Sequence, residues 1–568
     1  MAAPNVLVIL VDQLRAPTGY EGDALTAWVE DRCASRQRLR SQGVSLRRHY
    51  PMSAACAPSR TSLLTGQYPS LHGVSQTDGV AKTPEAPDMF WLEADTVPTL
   101  GHWFRAAGYR TFYKGKWHVT HAHLDDEDGN HLLCVDDDGV PQPENIRRYL
   151  EADLLDDWGF SEWVGPETHG LERHSQGRVR DPFTADETIE LLGRLEREGD
   201  TPWLTVCSFL NPHDVAYFGV LGALKSGHRY FGSDVPEVPQ APTRHEDLTT
   251  KPSCQQSMVD LWPRVAAPQP FVQHHLKYYY AMQAEVDRHI CRVLDALAQS
   301  AAAENTIVVF SSDHGDLLGA HGGMHQKWHN AYEEALHVPF VVSGPGIAPG
   351  ALDTPTSHAD LIPTLLGLAG LEEEPLLEEL RTSHREAHPL AGRDLSDAIR
   401  GAAATPAAEP VLFMTDDEIS DGDHVATPPI SPQAVSRRLR LYSTIAQPNH
   451  VETVVAEVDV DGAPHVVKFS RYHDNPQFWT TPGERDERLR GRRTHVVTEP
   501  EPDEYELYDL TTDPFEERNL AHPAHADDRT RALQAHMLGV LHAELERKRL
   551  TPAGGGAPGY RPPAEAPA

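Results

Sequence analysis

Cysteine is scarce in this chain, and long apolar runs are missing from it. The 568 residues include six scattered cysteines that are never spaced as C-x-x-C: Cys33, Cys56, Cys134, Cys207, Cys254 and Cys291. This pattern argues against a disulfide scaffold and predicts that most of the thiols are reduced. No apolar run approaches the ~20 residues that cross a bilayer, so we expect a soluble protein without a membrane span.

Basic residues are outnumbered by acidic ones. The sequence has 50 lysines and arginines against 84 aspartates and glutamates, which gives a net charge of -34. This balance argues against a nucleic-acid partner and against an anionic membrane surface. It does not exclude a small anionic substrate, because charges beyond a Debye length of ~8 Å are largely screened and a few local cations can still attract an anion.

The amino-terminal sequence MAAPNVLVILVDQ does not have the form of a secretory leader. Its apolar run, residues 6–11, is shorter than the ~7 to 15 residue core of a signal peptide with its basic flank and cleavage site. We therefore expect a cytoplasmic protein.

Short apolar runs alternate with amphipathic stretches along most of the chain. The runs that are typical of buried strands are NVLVILV, YRTFY, WLTVCSF, TIVVFSS and VPFVV. Between them we predict helices, one over 181–199 with Asp181 as its cap and Pro182 in its first turn, and another over 274–299. This alternation predicts an α/β fold with a large mixed, mostly parallel sheet sandwiched by helices. In such a sheet the active groups gather at the carboxyl ends of the strands.

The length of the chain predicts two packed regions rather than one. Near residue 401 the composition changes to GAAATPAAEP, which is typical of a linker or surface loop. We predict a large α/β domain over 1–400 that carries the active site, and a smaller α+β subdomain over 411–550 with a terminal helix. The tail 551–568 is rich in Pro, Gly and Ala, and it is predicted to be disordered because it has too few apolar side chains to offset its ordering entropy.

The stretch AACAPSRTSLLTG, residues 54–66, places Cys56 shortly before a proline and four positions before Arg60. Proline in a first turn and glycine just past a last turn predict a short helix from about 57 to 65, with Cys56 at its amino end. Exposed N–H groups and the helix dipole favour negative charge there, and the four-residue spacing brings Arg60 onto the same face. The pattern predicts an anion site.

Three interpretations of Cys56 are open on these residues alone: a buried structural cysteine, a thiolate nucleophile, or a cysteine that is chemically converted. A free cysteine is most often structural. A thiolate phosphatase would need a longer anion-binding loop between the cysteine and the arginine. A thiol hydrolase would need a histidine with an asparagine or aspartate in identifiable roles, so neither enzyme fits well.

The segment CAPSRTSLLTG resembles the C-x-P-S-R-x-x-L-x-T-G signature of the sulfatases, in the alkaline phosphatase superfamily. Other segments between about residues 4 and 522 are similar to the same family: NVLVILVDQ, GYRTFYKGKWH, FLNPHD, VVFSSDHGDLLGAHG, HVPFVVSGPG, SHADLIPTLLGLAG and YELYDLTTDPFEERNLA. The resemblance implies that a maturation enzyme oxidises Cys56 to formylglycine, whose hydrated aldehyde supplies a nucleophilic oxygen. It also implies a small anionic ester as substrate, hydrolysed as a sulfate monoester with the help of one divalent cation.

Asp12 and Gln13 follow one predicted strand, and Asp313 and His314 follow another, so four oxygen or nitrogen ligands could converge on a cation. Turn capping is the alternative role for the two aspartates. By resemblance these four residues and the oxygen made from Cys56 bind the metal, although the family pattern often has Asp in place of Gln13 and Asn in place of His314. Calcium is the family default, and the amide and imidazole leave Mn²⁺ or another transition ion open.

Lys116 and His118 lie two positions apart after a predicted strand, so in an extended segment they point to the same side. A surface lysine and a core histidine are the ordinary alternatives. By resemblance Lys116 binds the sulfate, and His118 removes a proton from the covalent intermediate. His213 and Lys327 would contact the leaving ester oxygen, and Arg60 and the metal would hold the nucleophile.

Other residues are expected to shape the site. His321, His325 and His329 recur at a four-residue spacing that would suit a zinc site on a helix, but the glycines beside them favour a solvated or pocket-rim loop. We expect selectivity for the organic part of the substrate to come from loops, namely the insert QTDGVAKTPEAPDMFWLEAD, the segment 217–231 and Trp328.

Two further functions stay open. A phosphonate monoester or phosphodiester hydrolase would use the same formylglycine, and the resemblance extends to such enzymes because some of them have Gln and His in the metal site. A non-catalytic binding protein would keep Cys56 unconverted. We prefer sulfate monoester hydrolysis because nearly every polar role has a candidate residue.

Overall fold

The computed structural model describes residues 3–78, 82–86, 89–168, 172–199, 201–217, 234–265, 272–401, 408–419, 444–490 and 493–553. Within these residues the strands are β1 Asn5–Val11, β2 Gly43–Leu46, β3 His49–Tyr50, β4 Arg110–Gly115, β5 Trp203–Phe209, β6 Thr306–Ser312, β7 Phe340–Ser343, β8 Gly350–Leu352, β9 Thr356–Ser357, β10 Val411–Thr415, β11 His450–Val460, β12 Ala463–His473, β13 Asp486–Arg490, β14 Arg493–Val497 and β15 Glu504–Asp509. The helices are Gly22–Arg32, Ala34–Gln42, Cys56–Thr65, Pro69–His72, Leu100–Ala106, Pro143–Ala152, Gly177–Glu198, Ser253–Val265, Val272–Gln299, Glu333–Leu336, Leu361–Ala369, Glu373–Leu380, Ser396–Ile399 and Asp528–Lys548.

The larger sheet has seven strands in the order β4-β5-β1-β6-β7-β2-β8. The neighbours β4, β5, β1 and β6 run parallel, as do β2 and β8, whereas β7 is antiparallel to both of its neighbours. The predicted fold class, with a mixed and mostly parallel sheet, is confirmed. Because β4, β5, β1 and β6 point the same way, their carboxyl ends meet at one edge of the sheet.

This sheet is buried on both faces. Along β1 the even-numbered apolar residues join one hydrophobic core, and the odd-numbered apolar residues join another. The helix Leu361–Ala369 contributes to the first core, and the later turns of the helices Gly177–Glu198 and Val272–Gln299 contribute to the second. Burial on both faces explains why the strands appear in the sequence as continuous apolar runs rather than as an alternating pattern.

The strand predictions agree closely with the structure. Trp203–Phe209 and Thr306–Ser312 have the predicted bounds, and Asn5–Val11 covers its predicted run. The helix predicted over 274–299 is confirmed as Val272–Gln299.

The helix predicted to begin at Asp181 instead begins at Gly177 and carries Pro182 inside it. The Asp181 carboxylate does not cap this helix. It accepts hydrogen bonds from the backbone N–H groups of Leu210 and Asn211 at 2.7 and 3.1 Å, in the loop that follows β5. A residue type that is typical of a helix cap therefore serves a tertiary contact, and the predicted start was wrong by about one turn.

A second sheet is formed by four antiparallel strands in the order β10-β11-β12-β15. One of its faces shares a core with Trp262 and Trp328 of the larger region. The other face packs on Met537 and Leu541 of the terminal helix Asp528–Lys548. The predicted α+β character of the C-terminal part is confirmed, and the domain boundaries at 400 and 411 stay a prediction.

Most of the predicted linker and tail, and most of the segment 217–231, lie outside the described residues. Within the part of the chain that the structure describes, no helix combines the length and apolarity that a membrane crossing requires. All six cysteines are free, five of them buried, which confirms that the chain has no disulfide scaffold.

Candidate active site

Loops that follow β1, β4, β5 and β6 carry the predicted site residues to the carboxyl edge of the larger sheet. These side chains are almost completely buried: Asp12, Gln13, Lys116, His118, His213, Asp313 and His314. The remaining predicted residues are buried to the same degree: Cys56, Arg60 and Lys327. The parallel order of the strands is what brings these distant positions to one edge.

The helix Cys56–Thr65 places Cys56 at its amino end, as predicted. It ends at Gly66, whose φ of 65° is the left-handed conformation that this C-cap requires. Sγ of Cys56 lies 3.1 Å from Nε2 of His314 and 3.8 Å from Oδ1 of Asp12. The cysteine is therefore in direct contact with two of the predicted metal ligands.

The electrostatic environment keeps the Cys56 thiol protonated. Burial, reinforced by the Asp12 carboxylate, raises the pKa of this thiol to about 12 against the opposing charges of Lys327 and Lys116. Because the thiolate is the nucleophilic form of cysteine, the unmodified side chain is a poor nucleophile at neutral pH. Without a bound cation the thiol is therefore protonated, and the thiolate interpretation stays open for a site that holds one.

Arg60 holds the two carboxylates of the site in place. Its Nε donates to Oδ2 of Asp313 at 2.8 Å, and its Nη2 donates to Oδ2 of Asp12 at 3.0 Å. Its Nη1 donates to the Lys116 carbonyl and to Oγ of Ser208, both at 2.9 Å. The guanidinium is directed at the carboxylates, and its predicted role in holding the nucleophile stays a prediction.

Lys116 and Asp12 form a buried ion pair, with Nζ 2.6 Å from Oδ2. Burial would raise the pKa of Asp12, but Lys116, His213 and Arg60 outweigh burial and hold that pKa well below its usual range. Burial would likewise lower the pKa of Lys116, but Asp12 outweighs it, so this pKa lies above its usual value. Both groups are therefore charged at neutral pH.

Four buried side chains offer atoms to one cation. One donor atom from each of Asp12, Cys56, Asp313 and His314 lies within 4.8 Å of the others. Nδ1 of His314 is 3.0 Å from the Gly315 carbonyl, which assigns the proton to Nδ1 and leaves Nε2 with a lone pair. Burial lowers the pKa of His314, so the imidazole is neutral, as a metal ligand must be. Two carboxylates and a neutral imidazole fit a divalent cation.

Gln13 lies beside this group in a left-handed conformation, with φ of 65°. Its backbone N–H donates to Oδ1 of Asp313 at 3.0 Å. Its side-chain Oε1 accepts from Nζ of Lys327 at 2.8 Å, and its amide nitrogen contacts Asp316 and Gln326. The amide oxygen predicted to bind the cation is thus engaged by Lys327, and its metal role stays a prediction. The same contact brings Lys327 into the site.

His118 lies two residues beyond Lys116 and has a carboxylate partner. Its Nε2 is 2.7 Å from Oδ1 of Asp78, and its backbone N–H donates to Oε2 of Glu167 at 2.8 Å. The Trp91 ring lies beside it, with ring centroids 5.9 Å apart. Trp91 belongs to the insert from which we expected selectivity.

The histidine-rich segment 321–329 is a loop rather than a helix, and most of its residues are buried. Both ring nitrogens of His321 contact glutamate carboxylates. Nδ1 lies 2.8 Å from Oε1 of Glu246, and Nε2 lies 3.3 Å from Oε2 of Glu334. His321 and His329 are both fully buried. The segment is a loop, as its glycines indicated, and the contact of Lys327 with Gln13 places it at the rim of the candidate site. It is not a helix with histidines on one face, and His321 lies between carboxylates distant in sequence rather than in solvent.

Sequence reasoning missed two residues that support the site. Asp78 was part of the quoted insert but had no assigned role, and only the structure pairs it with His118. Asp417 accepts hydrogen bonds from Ala55 N and from Nε1 of Trp328, at 3.2 and 2.9 Å. Neither aspartate lies in a motif that would indicate its partner.

A family model described as Sulfatase matches residues 4–371. The chain is 29% identical over 406 residues to a choline-sulfatase from Rhizobium meliloti, a match that covers 66% of this chain and 69% of the relative.

Two solved structures have a similar fold. A 2-O GAG sulfatase superposes with a TM-score of 0.61 at 20% identity, covering 96% of this chain and 93% of the other. The phosphonate monoester hydrolase of Agrobacterium radiobacter superposes with a TM-score of 0.55 at 20% identity, covering 96% of each chain. At these identities the two likenesses concern the fold alone.

Proposed function

The chain belongs to the sulfatase family of sulfuric ester hydrolases, and from this premise we propose that it hydrolyses a sulfate monoester to an alcohol and inorganic sulfate at the site around Cys56. The observation that carries the proposal is the position of Cys56. It lies at the amino end of a helix, in contact with Asp12 and His314, under the influence of two lysines.

We propose that Cys56 is converted to formylglycine by a maturation enzyme, the partner that this modification requires. The hydrated aldehyde would supply the oxygen nucleophile that the protonated thiol cannot. The contacts of Cys56 with Asp12 and His314 support this proposal, because they place an oxygen made at position 56 beside the predicted cation ligands.

The residues that would hold one divalent cation are Asp12, Gln13, Asp313 and His314, together with the oxygen made at position 56. A cation there would neutralise negative charge on the ester oxygens. The imidazole of His314 suits manganese or another transition ion better than calcium, which remains the expectation from the family. Metal analysis of the purified protein is expected to find one equivalent of a divalent ion, and its absence from active enzyme would contradict the site.

We assign sulfate binding, proton donation and proton acceptance to four side chains of this chain. Lys116 would bind a sulfate oxygen, and its ion pair with Asp12 holds its ammonium at that point. His213 or Lys327 would donate a proton to the departing alcohol oxygen. His118 would accept the proton whose removal releases sulfate and restores the aldehyde, with Asp78 orienting its ring.

The test of this function is a comparison of Cys56→Ala with Cys291→Ala, a matched change at a partly exposed cysteine away from the site. On an aryl sulfate we expect Cys56→Ala to lose at least about 1000-fold in kcat/KM, because the nucleophile is gone, and Cys291→Ala to retain wild-type activity. Full activity of Cys56→Ala would contradict the proposal. Peptide mass spectrometry of position 56 is expected to find the aldehyde.

The organic half of the substrate is to be found by screening one preparation on aryl sulfates, sulfated sugars, phosphonate monoesters and phosphodiesters. A higher kcat/KM for a phosphorus ester would replace the sulfatase proposal with the phosphonate or phosphodiester hydrolase that shares the site. An unconverted thiol at Cys56 together with no turnover of any ester would favour the binding protein.

We also propose a cytoplasmic location, which cell fractionation tests.

A further inference from the structure

A hairpin of histidines follows the Lys-Trp-His element and has no part in the proposed reaction. We call it the histidine hairpin, residues 121–132. Asp125 and His131 pair across it as a β-bridge. Leu132 N donates to Leu124 O at 2.7 Å, and Leu132 is buried in the core. The two arms of the hairpin are thus held in a fixed register.

Three imidazoles of this hairpin lie together. One ring nitrogen from each of His121, His123 and His131 lies within 4.8 Å of the other two. The ring centroids of His121 and His123 are 4.5 Å apart, and those of His123 and His131 are 4.3 Å apart. The two-residue spacing in an extended segment puts His121 and His123 on one side, and the hairpin returns His131 to that side.

One carboxylate faces two of these rings. Oδ1 of Asp125 lies 2.7 Å from Nδ1 of His131, and its Oδ2 lies 3.4 Å from Nε2 of His123. A carboxylate on one ring nitrogen holds the proton there and turns the lone pair of the other nitrogen outward from it, which is the usual arrangement around a metal-bound histidine. In His123 that other nitrogen, Nδ1, is buried and has no hydrogen-bond partner in the protein.

An unsatisfied buried nitrogen is costly unless something binds it. The contact between Asp125 and Nδ1 of His131 gives both groups a hydrogen-bond partner within the hairpin. Nδ1 of His123 has no such partner. Three imidazoles with convergent nitrogens are a donor set suited to zinc, copper or nickel rather than to calcium or magnesium.

We propose that His121, His123 and His131 bind one transition-metal dication, with zinc as the representative ion, and that a fourth position is left for water or an anion. The site is separate from the cation site around Asp12 and does not depend on the proposed reaction. Through Trp91, whose ring lies 5.9 Å from His118 and 6.1 Å from His121, it adjoins the candidate active site. A bound ion there would fix the loop beside His118.

The experiment is a titration of the full chain, stripped with a chelator and then titrated with zinc chloride by calorimetry, with metal counted by mass spectrometry after gel filtration. The variants are His121→Ala, His123→Ala and His131→Ala, with His522→Ala as the control at a histidine that lies beside His525. Each site variant is expected to bind one zinc ion fewer than the wild type, or to bind it at least about 100-fold more weakly. Asp125→Asn is expected to weaken the same ion about tenfold.

Circular dichroism and the melting temperature without zinc report whether each variant folds, and any one folded site variant is sufficient for the comparison. Cobalt in place of zinc is expected to give visible d–d absorption in the wild type that these variants lack. Equal zinc binding by the wild type and the folded site variants would overturn the proposal. Loss of the same ion in His522→Ala would also overturn it, because the binding would then be adventitious.

Discussion

At the scale of single residues, Asp78 is the carboxylate partner of His118, the candidate base. It lies 40 positions before His118 in the chain, and its Oδ1 is 2.7 Å from Nε2 of that ring. A carboxylate in this position orients an imidazole and stabilises the proton that the ring accepts. We therefore propose that Asp78 acts by positioning His118.

We expect Asp78→Asn to lower kcat at least about tenfold with little change in KM, because the amide keeps the shape but not the charge that supports His118. Steady-state kinetics on the best sulfate ester measure both constants. Asp397→Asn, a matched change at an exposed aspartate, is the control. A rise in KM alone would mean that Asp78 acts in binding instead.

His321 and Glu334 form a buried pair whose strength depends on pH. Burial would lower the pKa of His321, but Glu334 and Glu246 outweigh it and raise this pKa from 6.5 to about 9. Burial would raise the pKa of Glu334, but His321 outweighs it and lowers this pKa from 4.5 to about 2. The histidine contribution is complete below pH 6.5 and is lost as the pH rises to about 9. The glutamate contribution is complete above pH 4.5 and is lost as the pH falls to about 2.

His321→Gln is therefore expected to reduce the free energy of unfolding by about 3 kcal/mol near pH 6, because it leaves Glu334 buried without its partner. The difference from the wild type is expected to shrink as the pH rises toward 9. Denaturant unfolding at the two pH values measures it, with His542→Gln at an exposed position as the control. A difference that does not change with pH would contradict the ion pair.

At the scale of elements, the second sheet contacts the residue before Cys56 through the end of one strand. Asp417 lies two residues beyond β10, and its carboxylate accepts from Ala55 N at 3.2 Å, Thr77 N at 3.1 Å and Trp328 Nε1 at 2.9 Å. Ala55 immediately precedes Cys56. A strand of the smaller sheet therefore fixes where the helix Cys56–Thr65 begins.

We expect Asp417→Ala to lower the free energy of unfolding by about 2 to 4 kcal/mol, because it leaves buried donors without an acceptor. We also expect it to lower kcat, because the start of the helix Cys56–Thr65 is no longer held. Asp417→Asn, which keeps an acceptor oxygen, should lie between this variant and the wild type. Glu457→Ala, an exposed change in the same sheet, serves as the control, and a similar loss there would contradict the specific role of Asp417.

At the scale of the whole molecule, the two sheets share a hydrophobic core. They do so although one sheet is mostly parallel and the other is antiparallel. Tyr50 and Trp328 of the larger region lie in one cluster with Val451 and Tyr472 of the second sheet. Separating the regions would expose this cluster to water on both sides. The boundary near residue 400 stays a prediction, and we expect a cut there to expose this cluster.

We expect a fragment of residues 1–400 to lack cooperative unfolding, because it loses the second sheet that covers its core. A fragment of residues 1–553 is expected to keep the melting temperature and activity of the full chain, since composition predicts that the tail adds no core. Calorimetry of the two fragments and the full chain measures this. A cooperative transition in 1–400 would show that the larger region folds alone.

Local sequence determined much of this protein. The apolar runs fixed where the strands β5 and β6 begin and end, because burial on both faces of a sheet needs a continuous apolar segment. Proline and glycine located the helix Cys56–Thr65, because these residues have strong backbone preferences at helix ends. The order of parallel strands brings the predicted ligands after β1 and β6 to one edge.

Only the tertiary structure decided which distant groups meet. The pairing of Asp78 with His118, the reach of Asp417 to Ala55, and the burial of His321 between two glutamates depend on the paths of loops. The same is true of Asp181, whose sequence position suggested a cap while its carboxylate binds the loop after β5. A loop path is set by packing over the whole molecule, and a single aspartate or histidine in sequence gives no sign of the partner that packing brings to it.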